Sequence, residues 1–154
     1  MKTIVGVLTL LAAPMAGGAD HVVTVRYEQG MRIPNHRVVV TVDTSQKLTL
    51  VTESKDGTKK ETTLRLAPAS FEELSKELKK MDWTKARRDK VRGLDGATVR
   101  ILHQGKETSL WSPDYDTGKR GLETTQSLVR KVFGLAGLDS QAMPAKPPGS
   151  KAER

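Results

Sequence analysis

The stretch R-V-V-V-T-V-D-T-S-Q-K-L-T-L-V-T-E-S, residues 37–54, contains two short runs in which apolar and polar side chains alternate. Val38, Val40 and Val42 share one face of the first run, and this period of two residues is typical of a half-buried strand. The polar segment 43–46 between the runs is suited to a turn. The stretch therefore predicts two neighbouring antiparallel strands.

The same alternation continues on both sides of this hairpin. In the preceding run H-V-V-T-V-R-Y-E, one face carries Val23, Val25 and Tyr27. After the hairpin, the dipeptide Asp56-Gly57 tolerates a positive φ and predicts a tight turn into a further strand, K-K-E-T-T-L-R-L-A. We therefore expect the first half of the chain to form an antiparallel meander.

The period changes to that of a helix in the next segment. Its apolar residues recur three or four positions apart, namely Phe71, Leu74, Leu78 and Met81. Ser70 precedes this pattern and Glu73 follows three residues later, which is the spacing of a capping box. The segment predicts an amphipathic helix that begins after Ser70 and lies on the sheet through its apolar stripe.

The second half of the chain again predicts strands followed by a helix. The runs T-V-R-I-L-H and K-E-T-S-L-W predict a hairpin around Gln104-Gly105, and residues 124–138 predict a second amphipathic helix. Strands, helix, hairpin and helix in this order indicate an α+β domain. We expect an antiparallel sheet of about five to six strands with two helices packed on one side.

The two ends of the chain differ from this pattern. Residues 1–19 have one lysine, an apolar run and small residues before Asp20, as secretory signal peptides do, and we predict cleavage after Ala19. The apolar run is too short to span a bilayer. Residues 139–154 are rich in proline and lysine and are expected to be disordered. The prediction is one domain, residues 20–138, that is periplasmic or secreted, has no membrane span and is a monomer.

The chain contains no cysteine and carries a net charge of +8. The absence of cysteine excludes disulfides and thiol catalysis. The densest basic cluster consists of Lys85, Arg87, Arg88, Lys90 and Arg92. Such a cluster predicts salt-dependent binding to an anionic partner, although charge runs also occur as solvated loops. Few aromatic residues accompany the cluster, so specific recognition of nucleic acid is not expected.

The segment W-S-P-D-Y-D-T-G-K-R-G, residues 111–121, places two aspartates at alternate positions, as calcium loops do. Lys119 stands where such a loop has its turn glycine, and Thr125 replaces the bidentate glutamate of the twelfth position. We therefore predict no metal site. The simplest interpretation is a connection between a strand and a helix, with Thr124 or Thr125 capping the helix.

The same segment is also suited to binding. Tyr115 lies in a polar stretch, with Lys119 and Arg120 close by in sequence. Aromatic and arginine side chains are enriched in the energetically dominant parts of protein interfaces. We therefore include these three residues, together with the basic cluster, among the predicted binding residues.

No residue pattern typical of catalysis is present. His21, His36 and His103 lack the paired spacing of metal ligands, and neither a G-x-S-x-G motif nor a glycine-rich phosphate loop occurs. We predict no catalytic residue and no cofactor. A hydrolase would need a site that assembles only in space, such as His36 or His103 meeting Asp114 or Asp116.

The order of short patterns resembles a known group of proteins. The patterns are R-V-V-V-T-V-x₄-K-L-T-L, a helix with S-F-E-E-L that closes with D-W, D-G-x-T-V-R-I and G-K-E-T-S-L. Over Val22–Leu138 they resemble small exported bacterial domains of unknown function, remotely similar to emfourin-type inhibitors of thermolysin-like metalloproteases. The segment E-Q-G-M-R-I-P-N-H replaces the Gly-Gly-Phe segment of many such domains. The resemblance implies inhibition through an exposed loop, 112–121 or 29–36.

These observations favour one function over two alternatives. The leading hypothesis is an exported, non-enzymatic module that binds a protein or an anionic component of the cell envelope. The alternatives are an inhibitor of a secreted metalloprotease and a hydrolase whose site is not visible in the sequence.

Overall fold

The computed structural model describes residues 21–29, 36–83, 97–111 and 117–138. These residues form strands β1 (His21–Gln29), β2 (His36–Asp43), β3 (Lys47–Ser54), β4 (Lys59–Arg65), β5 (Ala97–His103) and β6 (Lys106–Trp111), and helices α1 (Pro68–Lys80) and α2 (Glu123–Leu135). All strands pair antiparallel in one sheet with the order β4-β3-β2-β1-β5-β6. The predicted α+β class is confirmed. The predicted signal peptide and C-terminal tail lie outside the described residues.

The strand order explains why the helices share one face of the sheet. The first four strands form the predicted meander, which ends at the edge strand β4. The next strand, β5, pairs with β1 on the far side of the meander, so the chain must cross the sheet between them. Helix α1 lies in this crossing, and α2 contacts α1 beside it. One face of the sheet is therefore covered by helices.

The core lies between this sheet face and the two helices. The strands contribute alternate residues that are almost fully buried, among them Val23, Val25, Tyr27, Val38, Val40, Val42, Val99, Ile101 and Leu110. The helices contribute Leu74, Leu78, Leu128, Val129, Val132 and Phe133. The apolar faces predicted from alternation are therefore the buried faces.

Helix α1 begins earlier than the sequence pattern predicted. Its N-cap is Ala67, Pro68 is its first residue, and no side chain caps it. Proline suits the first helical position because its φ is already helical and it has no N–H to satisfy. The predicted capping box is therefore wrong. The Glu73 carboxylate instead binds Lys131 of α2, which lowers the pKa of Glu73 below its ordinary value.

Helix α2 differs from its prediction at both ends. Its N-cap is Leu122 with no side-chain hydrogen bond, so capping by Thr124 or Thr125 is wrong. At the other end, Gly137 has φ +71°, and its N–H donates to the Gly134 carbonyl. The N–H of Leu138 donates to the Phe133 carbonyl, which completes a Schellman motif. The helix thus stops at Leu135 because glycine permits the left-handed conformation that follows.

The turn between β2 and β3 is held by Asp43. Its Oδ1 accepts hydrogen bonds from Ser45 N (2.8 Å), Ser45 Oγ (2.6 Å) and Lys47 N (3.0 Å). Burial raises the pKa of Asp43, but the hydrogen bonds from Ser45 and Lys47 outweigh burial and place the pKa below its ordinary value. The ionised carboxylate therefore stabilises the turn.

We expect Asp43→Ala to lower the free energy of unfolding by about 1 kcal/mol at neutral pH, because the turn loses its side-chain acceptor. A folded pKa below the unfolded value contributes stability that is present above about pH 4 and is lost as the pH falls through the folded pKa. Urea titrations between pH 7 and 3 check this expectation. The wild type and the variant should converge at low pH, and a constant gap would contradict the role of the charge.

Candidate binding face

The second face of the sheet is not covered by either of the two helices that the described residues form. Its side chains lie in three rows that cross the strands, according to the pairing register. The first row contains Glu107, Leu102, Thr24, Thr41, Thr49 and Thr63. The second contains Ser109, Arg100, Arg26, Val39, Val51 and Glu61. The third contains Trp111, Thr98, Glu28, Arg37, Glu53 and Lys59. We call this surface the open face.

Apolar side chains interrupt the polar rows of the open face. Val39 and Val51 are half-buried neighbours on paired strands. Leu102 is 39% exposed and is the one large apolar side chain that is exposed among the described residues. Trp111 ends the third row and is half-buried. A mixture of aliphatic, tryptophan and arginine side chains is typical of protein interfaces.

Two arginines lie next to each other at the centre of the open face. Arg26 of β1 and Arg100 of β5 are direct partners in the register, and both are exposed. Directly opposed side chains on antiparallel strands have their Cβ atoms about 5 Å apart. Like charges in this position destabilise the strand pair. This arrangement is therefore an unfavourable charge pair, as is that of Lys47 and Arg65 on β3 and β4.

Two carboxylates of the open face, those of Glu28 and Glu53, are bound to other cations. Arg37 Nε lies 3.0 Å from Glu28 Oε1, and Arg37 Nη1 lies 3.4 Å from Glu53 Oε2. Lys59 Nζ lies 3.9 Å from the same Glu53 oxygen. Within the described ranges neither Arg26 nor Arg100 takes part in an ion pair. The ion pairs of Arg37 thus occupy Glu28 and Glu53. The positive charges of the central arginine pair, Arg26 and Arg100, have no such compensation in the described part of the chain.

A shallow depression of about 300 Å³ adjoins the arginine pair. Apolar and charged side chains line it together, namely Arg26, Arg37, Val39, Val51, Glu53 and Lys59. The two valines form the apolar part and Arg26 forms one end. The depression therefore accommodates a small aliphatic group next to a cationic one.

Arg120 contacts Trp111 and adds a further arginine to the open face. Its Nη2 donates to the Trp111 carbonyl oxygen at 2.6 Å, and its Cζ lies 5.8 Å from the centroid of the Trp111 ring. This geometry is a cation–π contact. Arg120, which the sequence placed among the binding residues, is thus held at the end of the third row. Lys119 beside it is exposed.

The other predicted binding residues lie outside the described residues. They are Lys85, Arg87, Arg88, Lys90, Arg92 and Tyr115. Their roles stay predictions. Asp114 and Asp116, which the hydrolase alternative requires, are outside the described residues as well.

The three histidines do not converge in the structure. His21 begins β1 and His103 ends β5 at one end of the sheet, whereas His36 begins β2 at the opposite end. His103 Nδ1 lies 2.6 Å from the carbonyl oxygen of Val22, and because a carbonyl only accepts, this nitrogen donates. No group of three potential metal ligands occurs among the residues that the structure describes.

Sequence reasoning missed Arg26 and Arg100. Alternation places each on the polar face of its own strand, but the two strands are separated by more than 60 residues of chain, and only the pairing of β1 with β5 brings them together. A local search for basic residues finds dense runs instead. The informative signal was a single arginine in the middle of each strand, where threonine and valine are the common residues.

No protein-family model matches the chain, and no curated protein matches it either. Neither of the two helices described here is long and apolar enough to cross a membrane. The emfourin-like resemblance stays a prediction.

Proposed function

We propose that the chain is an exported, non-enzymatic binding module whose open face contacts a partner macromolecule. The observation that carries this proposal is the composition of that face. Val39, Val51, Leu102 and Trp111 lie there among arginines, on a surface that no described helix covers. Sheets that leave one face to water usually present polar residues on it, so this apolar content supports a binding role.

Export enters the proposal from the sequence. The N-terminal 19 residues have the features of a signal peptide. The positive net charge supports an anionic partner in the envelope or among secreted proteins. Both a protein and an anionic polymer of the envelope fit the signal peptide and the positive net charge.

Site-specific photo-crosslinking tests the proposal. A photoreactive phenylalanine analogue replaces Leu102 on the open face, and in a matched variant it replaces Lys76, which is exposed on α1. We expect the exported protein to form a discrete adduct from position 102, and we expect an excess of unlabelled wild type to compete it away. Adduct formation from position 76 alone, or from neither position, would show that the open face is not the binding surface.

A further inference from the structure

The chemistry of the central arginine pair indicates what the open face recognises. Arg26 and Arg100 lie directly opposite each other on paired strands, and no ion pair or hydrogen bond joins either guanidinium to another described residue. Their mutual repulsion is relieved when one anion lies between them. A carboxylate has two oxygens and accepts charge-assisted hydrogen bonds from both guanidinium groups at once.

The surroundings of the pair favour an anion with an aliphatic neighbour. Val39 is the register partner of Arg26 on the other side of β1, and Val51 is the partner of Val39. Neighbouring strands are about 4.8 Å apart, so the row from Arg100 to Val51 spans about 14 Å. The adjoining depression has its apolar lining at these valines. A ligand that crosses the row meets charge first and apolar surface next.

The carboxylates of the open face argue against a uniformly charged polymer. Glu28 and Glu53 lie in the third row, Glu61 ends the second row, and Glu107 lies at the β6 end of the first. A polyanion that repeats its charge every few ångströms would place some of its charges near these carboxylates. A protein segment carries acidic and apolar side chains in alternation and avoids this repulsion.

We propose that Arg26 and Arg100 jointly bind a carboxylate in an acidic segment of a partner protein, and that Val39 and Val51 receive an aliphatic side chain next to it. This inference rests on the proposed function, because it names the chemistry of the same surface. Arg37 is not part of the anion site, since Glu28 and Glu53 already compensate its charge.

Nuclear magnetic resonance of the arginine side chains tests this proposal. The probe is the blocked peptide V-D-V-E-V, and its control is the uncharged analogue V-N-V-Q-V, both titrated at low salt. We expect the Nε–Hε signals of Arg26 and Arg100 to shift with the acidic peptide and to stay in place with the analogue. Arg26→Gln and Arg100→Gln should each weaken binding by about tenfold, the loss expected for one charge-assisted contact.

A matched charge removal and a stability measurement provide controls. Lys79→Gln removes the same charge from the exposed surface of α1 and should leave peptide binding unchanged. The melting temperatures of the two arginine variants should equal or exceed that of the wild type, because the repulsion between like charges is gone. A fall in melting temperature would instead assign the arginines a structural role and overturn the proposal.

The remaining outcomes separate this inference from the proposed function. Equal shifts with both peptides, or tighter binding of polyphosphate than of the acidic peptide, would overturn recognition of a protein carboxylate. If the adduct from position 102 forms equally well in the Arg26→Gln, Arg100→Gln double variant, the open face is a binding surface but the arginine pair does not select its partner. If no adduct forms from position 102, both proposals are wrong.

Discussion

Replacement of Tyr27 by alanine is expected to remove about 3–5 kcal/mol from the free energy of unfolding, the largest loss that we predict for any single change. Tyr27 is 1% exposed and lies in β1, the strand that joins the meander to the second hairpin. Its ring meets Phe133 of α2 edge to face, with centroids 6.2 Å apart and planes inclined by 77°. The substitution removes both the buried ring and this aromatic contact.

The size of this loss follows from the position of the residue between two layers. Val38 and Val99 flank Tyr27 on the neighbouring strands, while Phe133 closes the space from the helix side. Backbone pairing on both sides of β1 keeps the surrounding residues from collapsing into the vacated volume. Domains of this size are stable by about 5–15 kcal/mol, so the variant would lose a large part of its total stability.

Urea unfolding followed by circular dichroism measures this effect. Tyr27→Phe is the matched control, because it retains the ring and removes only the hydroxyl group. It should cost no more than about 1 kcal/mol. A midpoint for Tyr27→Ala equal to that of Tyr27→Phe would show that the ring contact with α2 does not stabilise the fold.

The parts of the fold that the sequence predicted correctly are those fixed by local patterns. Alternation marked Val38, Val40 and Val42 as one face because burial on a strand has the same period of two residues. The hairpin at Gln104-Gly105 was predictable because two consecutive residues with positive φ, here +48° and +75°, match the twist of paired strands. Each of these signals needs only a few consecutive residues.

The wrong and missing predictions concern contacts between residues that are far apart in the sequence. Ser70 and Glu73 have the spacing of a capping box, but Pro68 starts the helix earlier and Lys131 of a distant helix binds Glu73. The arginine pair depends on β5 joining β1, and nothing in either strand alone specifies its partner. For the same reason, sequence reasoning placed the candidate site in dense basic runs, where charge is visible along the chain.

The second large effect concerns Trp83, which joins the end of α1 to β5. Its Nε1 donates to the Leu78 carbonyl at 2.9 Å, one of the last four helix carbonyls that have no partner within the helix. Its ring lies against His103, with centroids 5.0 Å apart and planes inclined by 34°. His103 in turn donates to the Val22 carbonyl beside an irregularity in the pairing of β1 with β2.

We expect Trp83→Ala to cost about 2–3 kcal/mol, since a half-buried ring, one hydrogen bond and one stacking contact are lost together. His103→Ala should cost about 1 kcal/mol, mainly through the hydrogen bond to Val22. Trp83→Phe retains an aromatic ring beside His103 and removes the N–H, so it separates capping of α1 from stacking. We expect Trp83→Phe to lower the free energy of unfolding by less than Trp83→Ala does.

A double-mutant cycle of Trp83→Ala and His103→Ala measures how strongly the two residues are coupled. The two rings touch, so the costs should not add, and the coupling is expected to be about 0.5–1.5 kcal/mol. Denaturant unfolding of the wild type, both single variants and the double variant, followed by circular dichroism, provides the four free energies. Additive costs would mean that α1 is anchored through the Leu78 hydrogen bond alone and that His103 stabilises β1 independently. A positive coupling would establish that the end of α1 and the strands β5 and β1 are stabilised as one unit.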